Sequence, residues 1–166
     1  MKINAEIMNT VMIFFTYLGD WRVIFGLGAV AVLILGLLRK KREIIFFVAI
    51  LISGAIIKEF IKLLVKRPRP DASFALIPED GYAFPSGHAL MSVIFYGTLC
   101  YFIYRACKNK RQKIILLIAA AILVFLIGFS RIYLGVHRPS DVIAGWLIGF
   151  SILTFFYYRL KNRQYY

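Results

Sequence analysis

The chain has 166 residues, 61% of them hydrophobic and 17% charged, with a mean hydropathy of +0.76. A soluble domain carries roughly 45–50% apolar and about 25% charged residues, so a water-soluble protein is excluded and a single integral membrane domain over 1–166 is expected. The formal net charge of +13 would suit nucleic acid in a soluble chain. Here the basic residues stand in short clusters between apolar runs, which makes them topology signals and lipid-headgroup contacts, and no nucleic-acid partner is expected.

The first apolar stretch, Ile7–Leu18, is about 18 Å long as a helix and short of a full span. Ile7, Val11, Phe14, Phe15 and Leu18 recur at helical spacing while Glu6, Thr10 and Asp20 are polar. Residues 1–20 are therefore read as a short interfacial or partly inserted helix, with a sixth true span as the alternative. No basic lead or small-residue cleavage site marks a removable signal there. Five later stretches reach spanning length, at about 21–38, 44–63, 85–106, 114–134 and 140–158. The expected fold is all-α, a polytopic bundle of five to six transmembrane helices. Cys100 and Cys107 fall seven apart in one predicted helix, roughly 10 Å of rise and too far for an ordinary disulfide, so they are read as buried thiols.

Charge placement orients the bundle. The connections "RKKRE" (39–43), "RACKNKRQK" (105–113) and "RLKNR" (159–163) carry twelve of the 21 basic residues, and five spans put all three on one side. Basic connections stay in the cytoplasm, so the C-terminus is expected inside. The loop of about 64–84, the start of the span at Pro85 and the short "LGVHRPSD" link then face out.

The unusual polar residues collect on that outer side, and ionisable groups at membrane depth are functional candidates. Both histidines, His88 and His137, fall at outer helix ends, and His137 precedes Asp141 by four residues. On a helix that spacing shares a face, where a carboxylate would hold the imidazole in one tautomer. The plainer alternative is that Asp141 only caps the helix after Pro139, with Ser140 helping. "KLLVKRPRP" (62–70) gathers Lys62, Lys66, Arg67 and Arg69. These are either snorkelling side chains or an anion clamp built on the planar donor fork of arginine. Arg131 follows Ser130 and adds a cation six residues before His137.

"PSGH" opens the third long span, with Pro85 expected at the first helical position. An ordinary cap would account for it. Yet Ser86 supplies a hydroxyl, Gly87 lets backbone amides approach closely, and a helix N-terminus favours negative charge. His88, just inside, is placed to protonate a leaving group. Together these pieces describe an oxyanion pocket at the outer membrane surface.

Lys62 with Arg69-Pro70, then Pro85-Ser86-Gly87-His88, then Ser130-Arg131 with His137 and Asp141 resemble the three signatures of the type 2 phosphatidic acid phosphatase superfamily. Those are Lys-x6-Arg-Pro, Pro-Ser-Gly-His and Ser-Arg-x5-His-x3-Asp, and all three spacings match. The register is unambiguous, since pairing Arg67-Pro68 instead would require lysine where Phe60 stands. The resemblance implies a membrane lipid phosphatase whose core usually has six spans. It implies His137 as nucleophile forming a phosphohistidine, Asp141 orienting it, and His88 as acid and then base. Lys62, Arg69, Arg131, Ser86 and the Gly87 amide would hold the non-bridging oxygens. It further implies no metal and no cofactor, in keeping with a sequence that has no Asp/Glu cluster of the kind that holds Mg²⁺. The implied substrates are undecaprenyl diphosphate, phosphatidylglycerophosphate or phosphatidic acid, with lipid A phosphate a further possibility; an outward-facing pocket favours the prenyl carrier slightly. The competing class is a non-enzymatic lipid- or anion-binding or transport component, which would not require the full His88, His137 and Asp141 set.

Overall fold

The computed structural model describes residues 2–162; Arg163, counted in the last basic cluster, lies outside the described residues. Among the described residues six α-helices follow one another: α1 Lys2–Leu18, α2 Trp21–Leu37, α3 Lys41–Val65, α4 Gly87–Ala106, α5 Lys110–Tyr133 and α6 Pro139–Asn162. A single 3-10 turn, Ala72–Phe74, interrupts the loop between α3 and α4. Local chemistry sets several boundaries. The Asp20 carboxylate accepts from the Arg22 amide at 2.8 Å to start α2, and the Asn109 side chain accepts from the Arg111 amide at 2.8 Å to start α5. α3 ends where Lys66 takes a left-handed conformation with φ of 47°.

The later helices are longer than several of the apolar runs that announce them. α3 begins in the "RKKRE" cluster and α5 at Lys110, because helical hydrogen bonding continues past the edge of the hydrocarbon while hydropathy registers only the lipid-facing part. α4 instead starts later than expected. Pro85, joined to Phe84 by a cis peptide, precedes the Ser86 cap, and Gly87 is the first helical residue.

α3, α4, α5 and α6 are each long and apolar enough to cross a membrane, and α1 with α2, bent by 50° between them, reach that standard as a pair. α1 does not stand apart from the bundle. Asn9 accepts from the Tyr133 hydroxyl at 2.9 Å, Thr16 accepts from Arg131 at 2.6 Å, and Gly19 abuts Ile127. α1 thus runs antiparallel to α5 over the C-terminal part of that helix. Past the bend, Ile24 of α2 packs on Phe47 of α3 and Phe95 of α4.

α4 is the central helix, touching α2, α3, α5 and α6. Its buried hydroxyls are satisfied within the helix, Ser92 donating to Ala89 O at 2.9 Å and Thr98 to Ile94 O at 2.6 Å. α6 approaches closely because Gly145 and Gly149 face α4. A side chain at Gly145 would stand 2.7 Å from Ser86 O, and one at Gly149 would stand 2.9 Å from Leu90 O. Behind that contact Ile50, Leu90, Ile94 and Ile152 form a buried cluster. The outer surface of the helices stays apolar, with Phe25, Leu37, Ile45 and Leu64 all more than two-thirds exposed, as lipid-facing residues require. This is a multi-pass membrane protein.

Candidate active site

Three chain segments meet at one end of the bundle. α3 delivers Lys62 in its last turn. The chain then runs through Arg67-Pro68-Arg69-Pro70 and a loop that returns along it, where the Ala83 amide donates to Arg67 O at 2.9 Å. Next, α4 presents Gly87 and His88 at its start. The third segment is the turn after α5. Gly135, with φ of 74°, lets the Val136 and His137 amides both donate to Arg131 O at 3.2 Å, a left-handed helix termination that folds His137 back over the end of α5.

These segments enclose a cavity of about 670 Å³. Lys62, Arg69, Gly87, His88 and His137 line its polar end, and its walls continue between α2 and α3 past Gly28, Leu51 and Ala55. The two histidines, 49 positions apart in the chain, therefore face one space. A larger apolar groove of about 860 Å³ opens between α4, α5 and α6 and contains no histidine.

His137 is not on a helix, contrary to the simplest reading of its spacing to Asp141. Pro139 is the first residue of α6, because proline lacks the amide and disfavours helix in the residue before it. The pair meets nonetheless, with His137 Nδ1 3.6 Å from Asp141 Oδ2 and both side chains buried. Asp141 also performs the capping role, since Oδ2 accepts from the Arg138 amide at 2.9 Å. Its other oxygen, Oδ1, accepts from Arg67 Nη1 at 2.7 Å, and the same Nη1 donates to Ser140 Oγ at 3.0 Å. Arg67 is further seated over the Phe84 ring at 4.8 Å.

The tautomer of His137 follows from its neighbours. Arg69 Nη1 stands 3.3 Å from His137 Nε2, and a guanidinium has donors only. Nε2 is thus the unprotonated nitrogen and Nδ1 carries the hydrogen, facing Asp141. Burial, then the positive charges of Arg131, Arg69 and Lys62, push the His137 pKa from its ordinary 6.5 down to about 3. The imidazole is neutral near pH 7, with the Nε2 lone pair turned toward Arg69.

Arg69 is held rigidly. Nε donates to Gly81 O at 3.0 Å, Nη2 to Asp80 O at 2.8 Å and Nη1 to Val136 O at 3.0 Å. Arg131, 1% exposed, donates to Thr16 Oγ1 and pairs with Glu79 Oε2 at 2.6 Å. It stands behind the cavity and is not among its lining residues. Ser86 is fully buried and its hydroxyl has no partner. Gly87 lines the cavity where a side chain would crowd Lys58 Cδ at 3.1 Å.

Four residues at the site were given no place in it by the sequence, and a fifth, Arg67, was given a different one. Lys58 lies four residues before Lys62 on one face of α3 and lines the same cavity, a spacing that was legible. Glu79 was readable only as an acid in a basic loop. Arg67 stood in the expected clamp but serves Asp141 instead. Thr16 and Gly19 carried no signal, because their roles depend on α1 packing against α5. In the loop between α3 and α4, Ile77 packs near Leu134 and Val136, and Tyr82 is 36% exposed.

The PAP2 superfamily profile matches residues 42–165, three-quarters of the chain. The chain belongs to the PAP2 superfamily. It is 30% identical over 151 residues to phosphatidylglycerophosphatase B of Bacillus subtilis (strain 168), a match covering 90% of this chain and 72% of that protein. It is 31% identical over 148 residues to undecaprenyl-diphosphatase of Sulfolobus acidocaldarius, covering 86% of this chain and 66% of the relative. Among solved structures, the transmembrane PAP2 type phosphatidylglycerolphosphate phosphatase from Bacillus subtilis superposes with a TM-score of 0.87 at 26% identity, over 93% of this chain and 77% of that one. The PAP2 match begins inside α3, so α1 and α2 lie outside it even though Thr16 and Gly19 touch site residues.

Proposed function

We propose that this PAP2 protein hydrolyses a terminal phosphate, monoester or diphosphate, from a membrane lipid. It is a phosphatase whose phosphoryl site is the polar end of the cavity and whose lipid tail lies along the apolar wall of α2 and α3. One observation carries the reading: His88 and His137 line a single cavity together with Lys62 and Arg69. The relatives named for phosphatidylglycerophosphate and undecaprenyl diphosphate support a substrate of this class.

The chemistry is a double displacement. His137 Nε2 attacks phosphorus, forming a P–N bond as the P–O bond to the lipid breaks, and His88 delivers a proton to the departing oxygen. Water, giving a proton back to His88, then attacks phosphorus; the P–N bond breaks and inorganic phosphate leaves. Asp141 keeps the Nδ1 proton in place and balances the imidazolium charge that develops during attack. Lys62, Arg69, Arg131, the Gly87 amide and the Ser86 hydroxyl receive the non-bridging oxygens. Lysine and arginine supply the electrostatics, so activity is expected to survive EDTA.

The basic 39–43 and 105–113 connections, at the opposite end of the bundle from the cavity's polar end, support a site facing outside and a C-terminus inside. A reporter fused after Tyr166 is expected to read the cytoplasm. The deciding experiment is phosphate release in detergent from a panel of pure lipids. Release from phosphatidylglycerophosphate, phosphatidic acid or undecaprenyl diphosphate supports the reading. Binding of those lipids without any release would favour a non-enzymatic lipid-binding role.

A further inference from the structure

Glu79 belongs to none of the three motifs, yet it sits on two of their arginines. Its Oε2 is 2.6 Å from Arg131 Nη2 and its Oε1 is 3.4 Å from Arg69 Nη2. The two oxygens of one carboxylate thus bridge two guanidinium groups, the arrangement two non-bridging phosphoryl oxygens would adopt. Glu79 also lines the cavity, and its side chain keeps 28% exposure, so water reaches it. The loop carrying it is pinned on either side, by the Leu76 amide on Leu134 O at 3.0 Å and the Ala83 amide on Arg67 O at 2.9 Å. Between those pins Gly81 has a φ of 76° and open space around it.

We propose that Glu79 is a resident anion which holds the phosphoryl position in the empty site and sets the charge an incoming lipid must carry to displace it. The assignment rests on reading the cavity as a phosphoryl site. A phosphodiester headgroup bears one negative charge, so exchanging it for the carboxylate gains no attraction to the two arginines. A phosphomonoester or diphosphate bears more, and the exchange is favourable. The bulk diester phospholipids that surround the protein are thereby kept out, while the scarce monoester enters. Glu79 acts as a specificity-determining residue, and in the resting state it also neutralises the buried Arg131.

Glu79→Gln keeps the shape and removes the charge. The test measures inhibition of phosphate release by vanadate, and by phosphatidylglycerol added to mixed micelles, for wild type and variant. The vanadate Ki is expected to fall about tenfold in the variant, the effect of removing one competing charge-assisted contact. Inhibition by phosphatidylglycerol, weak in the wild type, is expected to become pronounced. An unchanged or raised vanadate Ki in the variant would overturn the proposal and make Glu79 a brace for the arginines. Should the variant not fold, a tungstate-bound structure of the wild type decides: Glu79 withdrawn from Arg131 supports displacement, and Glu79 still on Arg131 refutes it. A wild type that neither releases phosphate nor responds to vanadate would instead sink the phosphoryl-site reading itself.

Discussion

Arg67 donates from Nη1 to Asp141 Oδ1 at 2.7 Å, across 74 positions of sequence. Asp141 has no exposure, and its remaining hydrogen bond comes from the Arg138 amide at 2.9 Å. Arg67 therefore supplies the side-chain countercharge to a buried carboxylate beside His137. Removing one partner of such a pair leaves an uncompensated charge.

Arg67→Gln is expected to lower kcat about 10- to 100-fold through misplacement of His137, with little change in KM, because Arg67 is not a lining residue of the cavity. Arg67→Lys, which retains the charge, should recover part of that loss. Steady-state kinetics on one lipid substrate would show it; a change confined to KM would place Arg67 on the substrate instead.

His137→Ala should remove about four orders of magnitude or more of phosphate release, as loss of a nucleophile does. Quenching the wild type in alkaline detergent with phosphorus-labelled substrate should trap label on the protein through a bond that is stable in base and lost in acid. The variant should trap none. Labelling that persists in His137→Ala would move the nucleophile elsewhere.

The depressed pKa of His137 gives two pH consequences with defined signs. Above 6.5 the imidazole is neutral in folded and unfolded chains alike; between 6.5 and about 3 only the unfolded chain takes up the proton. Acidification through that window therefore costs stability, and raising the pH restores it. Nitrogen-15 histidine spectra of the substrate-free protein at pH 5 should show a neutral His137 with its hydrogen on Nδ1. An imidazolium signal for His137 at that pH would contradict the tautomer drawn from Arg69.

Gly19→Val tests the contact made by the N-terminal helix. A Cβ there would stand 2.6 Å from Ile127 Cγ2 and 2.9 Å from His88 Cδ2, so Ile127 or the imidazole must shift. Overpacking of this kind costs about 1–3 kcal/mol. A lower thermal midpoint together with reduced kcat is expected, and wild-type values of both would show that α1 yields freely.

The parts of the site that were readable beforehand share one property. Lys62, Arg69, Ser86, Gly87, His88, Arg131, His137 and Asp141 stand at fixed spacings within short segments, so residue type and interval identify them without knowledge of packing. Lys58 belongs with them, as it repeats the helical interval from Lys62. Arg67 and Glu79 do not. Both lie in a proline-rich basic loop, where nothing local decides whether a guanidinium meets solvent, phosphate or a carboxylate 74 residues away.

Membrane residence, the all-helical architecture, the approximate spans and the residue types of the candidate site were determined by the sequence alone. Hydropathy accumulates along a segment, and helical spacing is local, so neither needs tertiary information. Only the folded chain decided that α1 lies along α5 with Thr16 on Arg131, that Glu79 bridges Arg69 and Arg131, and that Arg67 rather than a motif cation supports Asp141. Those pairings depend on which faces of separate helices meet, and that choice is settled by close packing at residues such as Gly145 and Gly149, whose effect on distant side chains no local interval records.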